Sequence, residues 1–244
     1  MKLQTILDHL KASEFSQLNF GAGQGVFDDG EALDKVLSSV SLGLTDLYTR
    51  FDLKLGRLVL ALQPDQTSYP LTSKHSLFGK AAVDPKYITD TALAPFKDDV
   101  LLVKRVCTEA GHELGLNNLG TKYSAVTMGM DKLEIPIEIV NQDPILPECL
   151  KTSTLTVHYR ANHPGFSSVM DPGRAEIELP MSHITALLYY VASRANNPVG
   201  LGQEFNAGNT FAAKYEVECV RLKADGMEIQ ERGSEDKFHD RGFV

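Results

Sequence analysis

The chain is apolar in two rhythms. Near the N-terminus Leu3, Ile6, Leu7 and Leu10 recur at helical spacing, which predicts one amphipathic helix. Gly21, Gly23 and Gly25 interrupt it. A second helix is expected from about Asp28 or Asp29, with Leu33, Val36, Leu37, Val40, Leu44, Leu47, Tyr48 and Phe51 in register. Asp28, Asp29 and Glu31 crowd its start, where the helix dipole favours acids, and Gly43 lies inside it. A third helical region runs from about 182 to 224, entered through Pro180 with Ser182 as cap. Ile184, Leu187, Leu188, Val191, Ala192 and Ala195 form its first stripe. Asn196, Asn197, Pro198 and Gly200 turn a corner. Phe211, Ala212, Tyr215, Cys219 and Leu222 form the second stripe, and Ala207, Ala212 and Ala213 suit close helix packing.

Between about 53 and 179 the period drops to two. Leu58, Leu60 and Leu62 alternate with other residues, as do Leu101 and Val103. So do Ile135, Ile137 and Ile139, then Leu155, Val157 and Tyr159, then Ile177 and Leu179. Short alternating runs broken by Pro, Gly, Asn and Asp predict antiparallel strands. Pro136 is expected at an edge or bulge, and residues 64–70 and 163–173 as loops. The fold class is therefore α+β. Residues 1–52 and 181–225 supply a helical bundle, and 53–180 an inserted antiparallel region resembling a sandwich or small barrel. Residues 226–244 are expected as an extended tail that is either disordered or docked on another chain, in which case Phe238 and Phe243 would offer apolar anchors and Lys237, His239 and Arg241 charge.

Composition narrows the classes. The 244 residues are 43% hydrophobic and 23% charged, which excludes wholesale disorder and a coiled-coil rod. The net charge of −8 argues against DNA wrapping, which needs concentrated Lys and Arg. Cys107, Cys149 and Cys219 form no CxxC pair, as expected where thiols stay reduced. No run approaches the roughly 20 apolar residues of a membrane span. Met1 to Leu10 carries Asp8 and His9 and lacks the apolar core of a signal peptide, so a protein made and kept in a cytoplasm, or in something assembled there, is expected.

Catalytic motifs are sparse. The seven histidines show no HExxH, and His158 and His163 stand five apart. Gly115 to Lys122 places Thr121 before the lysine, the reverse of a phosphate loop, and the 21–25 glycines follow no strand. No nucleophile elbow is found. No catalytic residue, cofactor or metal is expected on these grounds. Tyr190 and Arg194 share a helix face. They read either as a tyrosine crossed by an arginine stem or, with Phe211 and Tyr215, as a subunit contact, since Tyr and Arg favour interface centres. A site in the β-region built from His158, Arg160, His163 and Glu178 is the enzyme or small-molecule alternative.

The run from 182 to 223, SHITALLYYVASRANNPVGLGQEFNAGNTFAAKYEVECVRLK, resembles the C-terminal helical signature of head-to-tail connector (portal adaptor) proteins of tailed bacteriophages. Tyr190 to Ala195, Asn209, Phe211, Ala212, Ala213 and Tyr215 carry the likeness. The 44–62 run, LTDLYTRFDLKLGRLVLAL, is similar to the long helix that leads such chains into their first strand. The resemblance implies a structural virion protein of the neck, in a homo-oligomeric ring of twelve beneath the portal protein. Tail tube or nozzle proteins would dock below, and DNA would pass as cargo without sequence-specific binding. The tail, here Arg232, Lys237, Phe238, His239, Arg241, Phe243 and Val244, would dock on the portal. Charge of one sign on a channel wall would let DNA slide. A tail terminator or completion protein is the neighbouring alternative.

Overall fold

The computed structural model describes residues 1–12, 30–79, 83–118, 120–164, 171–195 and 203–227; of 30–32 and 203–207 it describes the backbone. The chain is a mixed α+β protein that divides into two compact units, Met1–Leu53 with His163–Val244 and Lys54–Asn162.

The first unit holds α1 (Leu3–Lys11), α2 (Gly30–Arg50), α4 (Ile184–Ala195) and α5 (Gln203–Ala224). Leu3, Ile6, Leu7 and Leu10 are all buried along one face of α1. Val36, Leu37, Val40, Leu44, Leu47 and Tyr48 do the same for α2, and Phe51 is buried just beyond it. The expected helix start at Asp28 or Asp29 and the corner at 196–200 lie outside the described residues. α4 packs against α1, α2 and α5. Its entry differs from expectation. Ser182 does not cap it; Met181–His183 form a 3-10 turn after Pro180, and Ser182 Oγ stands 3.0 Å from His183 Nδ1.

The segment around Ile177 and Leu179 also differs. It is extended but joins neither sheet. Its hydrogen bonds go to the chain start: Leu3 N–H donates to Ala175 O at 2.9 Å and Ile177 N–H to Met1 O at 2.6 Å. Tyr48 Oη donates to Glu178 O. Ile177 and Leu179 are buried; their alternation reflects two-sided surroundings rather than a ladder.

The second unit carries two antiparallel sheets. β1 (Leu55–Ala61), β3 (Ile88–Thr89), β4 (Val100–Thr108), β5 (Glu113–Leu114) and β8 (Thr154–Ala161) form one, in the order β3-β1-β8-β4-β5. β2 (Ser68–Pro70), β6 (Val126–Thr127) and β7 (Lys132–Glu134) form the other, in the order β2-β7-β6. Both are open, so the barrel-like expectation is corrected: β3 and β5 end the larger sheet without meeting, and strands of two or three residues supply too few ladder bonds to close one. β8 is central and alternates strictly, with Leu155, Val157, Tyr159 and Ala161 inward. One buried cluster takes residues from both sheets, Leu60, Val106 and Val157 from the larger, Tyr69 and Leu133 from the smaller.

Two expectations fail locally. Residues 68–70, expected as loop, make edge strand β2, where Pro70 is tolerated. Ile135, Ile137 and Ile139 do not form a strand. Pro136 leads into a single turn, α3 (Ile137–Val140), that buries Ile139 and Val140 and exposes Ile137. Residues 135 and 139 satisfy a two-residue and a helical period alike, so so short a run cannot separate them.

Candidate functional site

The first unit carries a cleft of about 450 Å³ between α2, α4 and α5. Its depth begins with Gly43. A Cβ there would stand 2.8 Å from both Leu187 Cδ1 and Tyr190 Cδ1, so glycine lets α2 and α4 approach. α5 then closes the third side with Gly208, Ala212 and Ala213, whose short side chains leave the opening.

One wall is a closed ionic network. The Arg50 guanidinium is bidentate to Glu216, at 2.6 and 2.8 Å. Its Nε lies 2.7 Å from Asp46, one turn back on α2. Tyr215 is buried and its Oη donates to Asp46, while Arg50 sits 5.1 Å over its ring. The hydrogen bonds to Glu216 raise the Arg50 pKa against its partial burial, and the same bonds hold the Glu216 carboxyl below its usual range. Burial first, then the bond to Asp46, pushes the Tyr215 hydroxyl well up, so it stays a donor.

The opposite wall is Tyr190 and Arg194 on α4. Tyr190 meets Tyr215 edge to face at 5.3 Å. Arg194 lies 5.3 Å over the Tyr190 ring, four residues on, with Nη2 3.4 Å from its hydroxyl. The arginine stem across the tyrosine is thus present. Among the described residues no carboxylate pairs with Arg194, whereas Arg50 holds two.

Of the four interface candidates, three meet at this cleft. Tyr190 and Arg194 line it, and Tyr215 forms its floor. Phe211 stands apart, 6.2 Å from Tyr189, with Lys214 over both rings. Asp46, Arg50 and Glu216 escaped the sequence reading. Asp46 and Arg50 show only an i,i+4 pairing, and no local signal joins them to Glu216 166 residues away. Arg232, Lys237, Phe238, His239, Arg241, Phe243 and Val244 lie outside the described residues.

The residues of the alternative β-region site are divided. His158 and Arg160 belong to β8 in the second unit. His163 and Glu178 belong to the first, where His163 Nε2 accepts the Glu178 backbone N–H at 3.1 Å and its ring meets Tyr48 edge-on at 5.7 Å. Among the described residues no three His, Cys, Asp or Glu side chains group to hold a metal ion, and no helix is long and apolar enough to cross a membrane. Cys219 is packed in the core and burial pushes its thiol up, away from nucleophilic character.

Neither a protein-family model nor a curated protein sequence matches the chain.

Proposed function

We propose that this chain is a structural subunit of a virion neck, a head-to-tail adaptor that repeats as a ring, of twelve by the resemblance, beneath a portal protein. In this reading the helices of the first unit form a bundle, the two sheets of the second form a sandwich inserted into it, and the role is mechanical rather than catalytic. Tail tube or nozzle proteins are the partners on the other side, and DNA is cargo.

The observation that carries the reading is the two-sided helix α5. Tyr215, Cys219 and Leu222 are buried at spacings of four and three. Ala213, Val217 and Val220 repeat the same spacing two residues earlier, which places them about 200° around the helix. They face outward, with Val217 70% and Val220 66% exposed. A helix of a free-standing subunit needs one apolar stripe; a second stripe suits a subunit covered by a neighbour. It falls within the 182–223 run that resembles the connector signature. A ring needs such a heterologous contact, one face meeting a different face of the next copy.

The docking role of residues 226–244 is tested by deleting 233–244. The truncated protein is expected to melt like the full chain and to lose capture by its cognate portal protein in a pull-down. Capture at the full-length level would remove the strap from the account.

A further inference from the structure

We propose that the outer face of the larger sheet binds the phosphate backbone of duplex DNA, at the end where Arg57, Arg105 and Arg160 lie side by side. The inference needs no ring; within the ring reading it names the surface that the cargo meets.

Three observations point to this ligand. The first is charge placed by register. Leu155, Val157 and Tyr159 of β8 point inward, so His158 and Arg160 take the outer face. His158 stands opposite Arg57 of β1 on one side and Arg105 of β4 on the other. Arg160, two residues on, stands between Leu55 and Leu102. Three guanidinium groups thus share one end of one face across three strands. The nearby carboxylates lie elsewhere. Glu113, opposite Cys107, is one row farther along, and Glu109, which accepts from Thr154 Oγ1, is farther still. Asp99 belongs to the basic end but serves the inner face, where Tyr159 Oη donates to it at 2.9 Å. Among the described residues no carboxylate pairs with Arg57 or Arg105, and the Arg105 Nε has no acceptor.

The second is the cost of the arrangement. Like charges directly opposite one another destabilise a sheet. Arg57 and Arg105 nevertheless flank His158 in a single cross-strand row. The register of β4 slips between Val103 and Arg105, which brings Lys104 and Arg105 together beside that row. Such bulges re-aim side chains and recur beside functional sites. A polyanion laid on this face offsets the repulsion.

The third is the company these arginines keep. The other outward positions of β1 and β8 are Leu55, Val59, Ala61, Thr154 and Thr156, with no Phe or Tyr among them. The centre of a protein interface is rich in aromatics and poor in charge, and single-stranded nucleic acids stack their bases on aromatic rings. A cationic face without aromatics matches neither. It matches a duplex contact, which is more polar and more positive than a protein contact, and guanidinium groups take phosphate oxygens in pairs. Contacts to phosphates alone carry no sequence preference.

The test is fluorescence anisotropy of labelled duplex DNA of two unrelated sequences, titrated with the full chain. Both duplexes are expected to bind alike. Affinity is expected to fall about fortyfold between 50 and 200 mM NaCl, as roughly three phosphate contacts require. Replacing both Arg57→Gln and Arg105→Gln is expected to weaken binding at least about tenfold and to lower the slope of log affinity on log salt by about two. Arg57→Lys keeps the slope, and Arg174→Gln, an exposed side chain of the first unit, changes nothing. With like charges relieved, the double variant is expected to melt no lower than the wild type. Arg57→Glu, at an exposed position, is the second probe of the face and is expected to weaken binding at least as much. No binding at roughly 100 µM protein in 50 mM salt overturns the proposal, as does wild-type affinity and slope in both the double variant and Arg57→Glu. Displacement of the DNA by poly-glutamate at equal charge concentration assigns the face to an acidic protein and overturns the nucleic acid. Ring formation on the portal protein is a separate readout, so either reading can fail alone.

Discussion

His183 shows how the fold sets a protonation state. Its ring is fully buried, edge-on to Phe51 at 4.8 Å, and its Nε2 has no hydrogen-bond partner among the described residues. Burial lowers its pKa, with the Glu218 carboxylate pulling weakly the other way. The folded protein thus keeps a neutral ring, while the unfolded chain takes up a proton near pH 6.5. The stability this residue contributes is complete above that pH and is lost as pH falls toward the lowered folded pKa. The melting temperature is expected to drop between pH 7 and pH 5 by more in the wild type than in His183→Met. Parallel pH profiles would show that the ring is not the sensitive group. Gly56 gives a second residue-scale case. It faces Tyr159 across the β1–β8 ladder, and a Cβ there would fall 2.3 Å from the ring. Gly56→Ala must displace the ring and break its 2.9 Å bond to Asp99. A loss of about 1–3 kcal/mol is expected in urea unfolding; an unchanged midpoint would mean that the ring swings aside freely.

Among the elements, α2 and α4 depend on their crossing at Gly43. Alanine there gains about 1 kcal/mol of helix propensity but meets Leu187 and Tyr190 at 2.8 Å, and overpacking of this kind costs about 1–3 kcal/mol. The terms nearly offset for alanine, whereas Gly43→Leu is expected to lower the melting temperature by several degrees and to reshape the cleft. Equal melting of Gly43→Leu and the wild type would refute the close crossing. The sequence made α1 and α2 legible because each has a single buried stripe long enough to fix its period, Leu3 to Leu10 in α1 and Val36 to Tyr48 in α2. It failed at 135–140, 68–70 and 177–179, where six residues or fewer must choose a conformation and long-range partners decide. In the cleft, Tyr190 and Arg194 were visible as neighbours on one turn. Arg50 and Glu216 were not, since their ion pair exists only once α5 has folded back against α2. Ala212, expected on one stripe with Tyr215, Cys219 and Leu222, is exposed, as is Ala213.

For the whole molecule, a catalytic scaffold and a ring subunit make different demands. A catalytic scaffold gathers titratable groups into a sheltered pocket. Here the residues of the enzyme alternative are distributed over both units, and Asp46, Arg50 and Glu216 of the cleft are an ion-pair network that holds α2 to α5. On one helix of the first unit Val217 and Val220 stay exposed on a common face, where a repeating neighbour would cover them. The account therefore stands on assembly. Its most direct test is negative-stain electron microscopy of the protein co-expressed with its cognate portal protein. The account predicts a second ring stacked on the portal ring, with one copy of this chain for each portal subunit. A bare portal ring beside monomeric protein would contradict it.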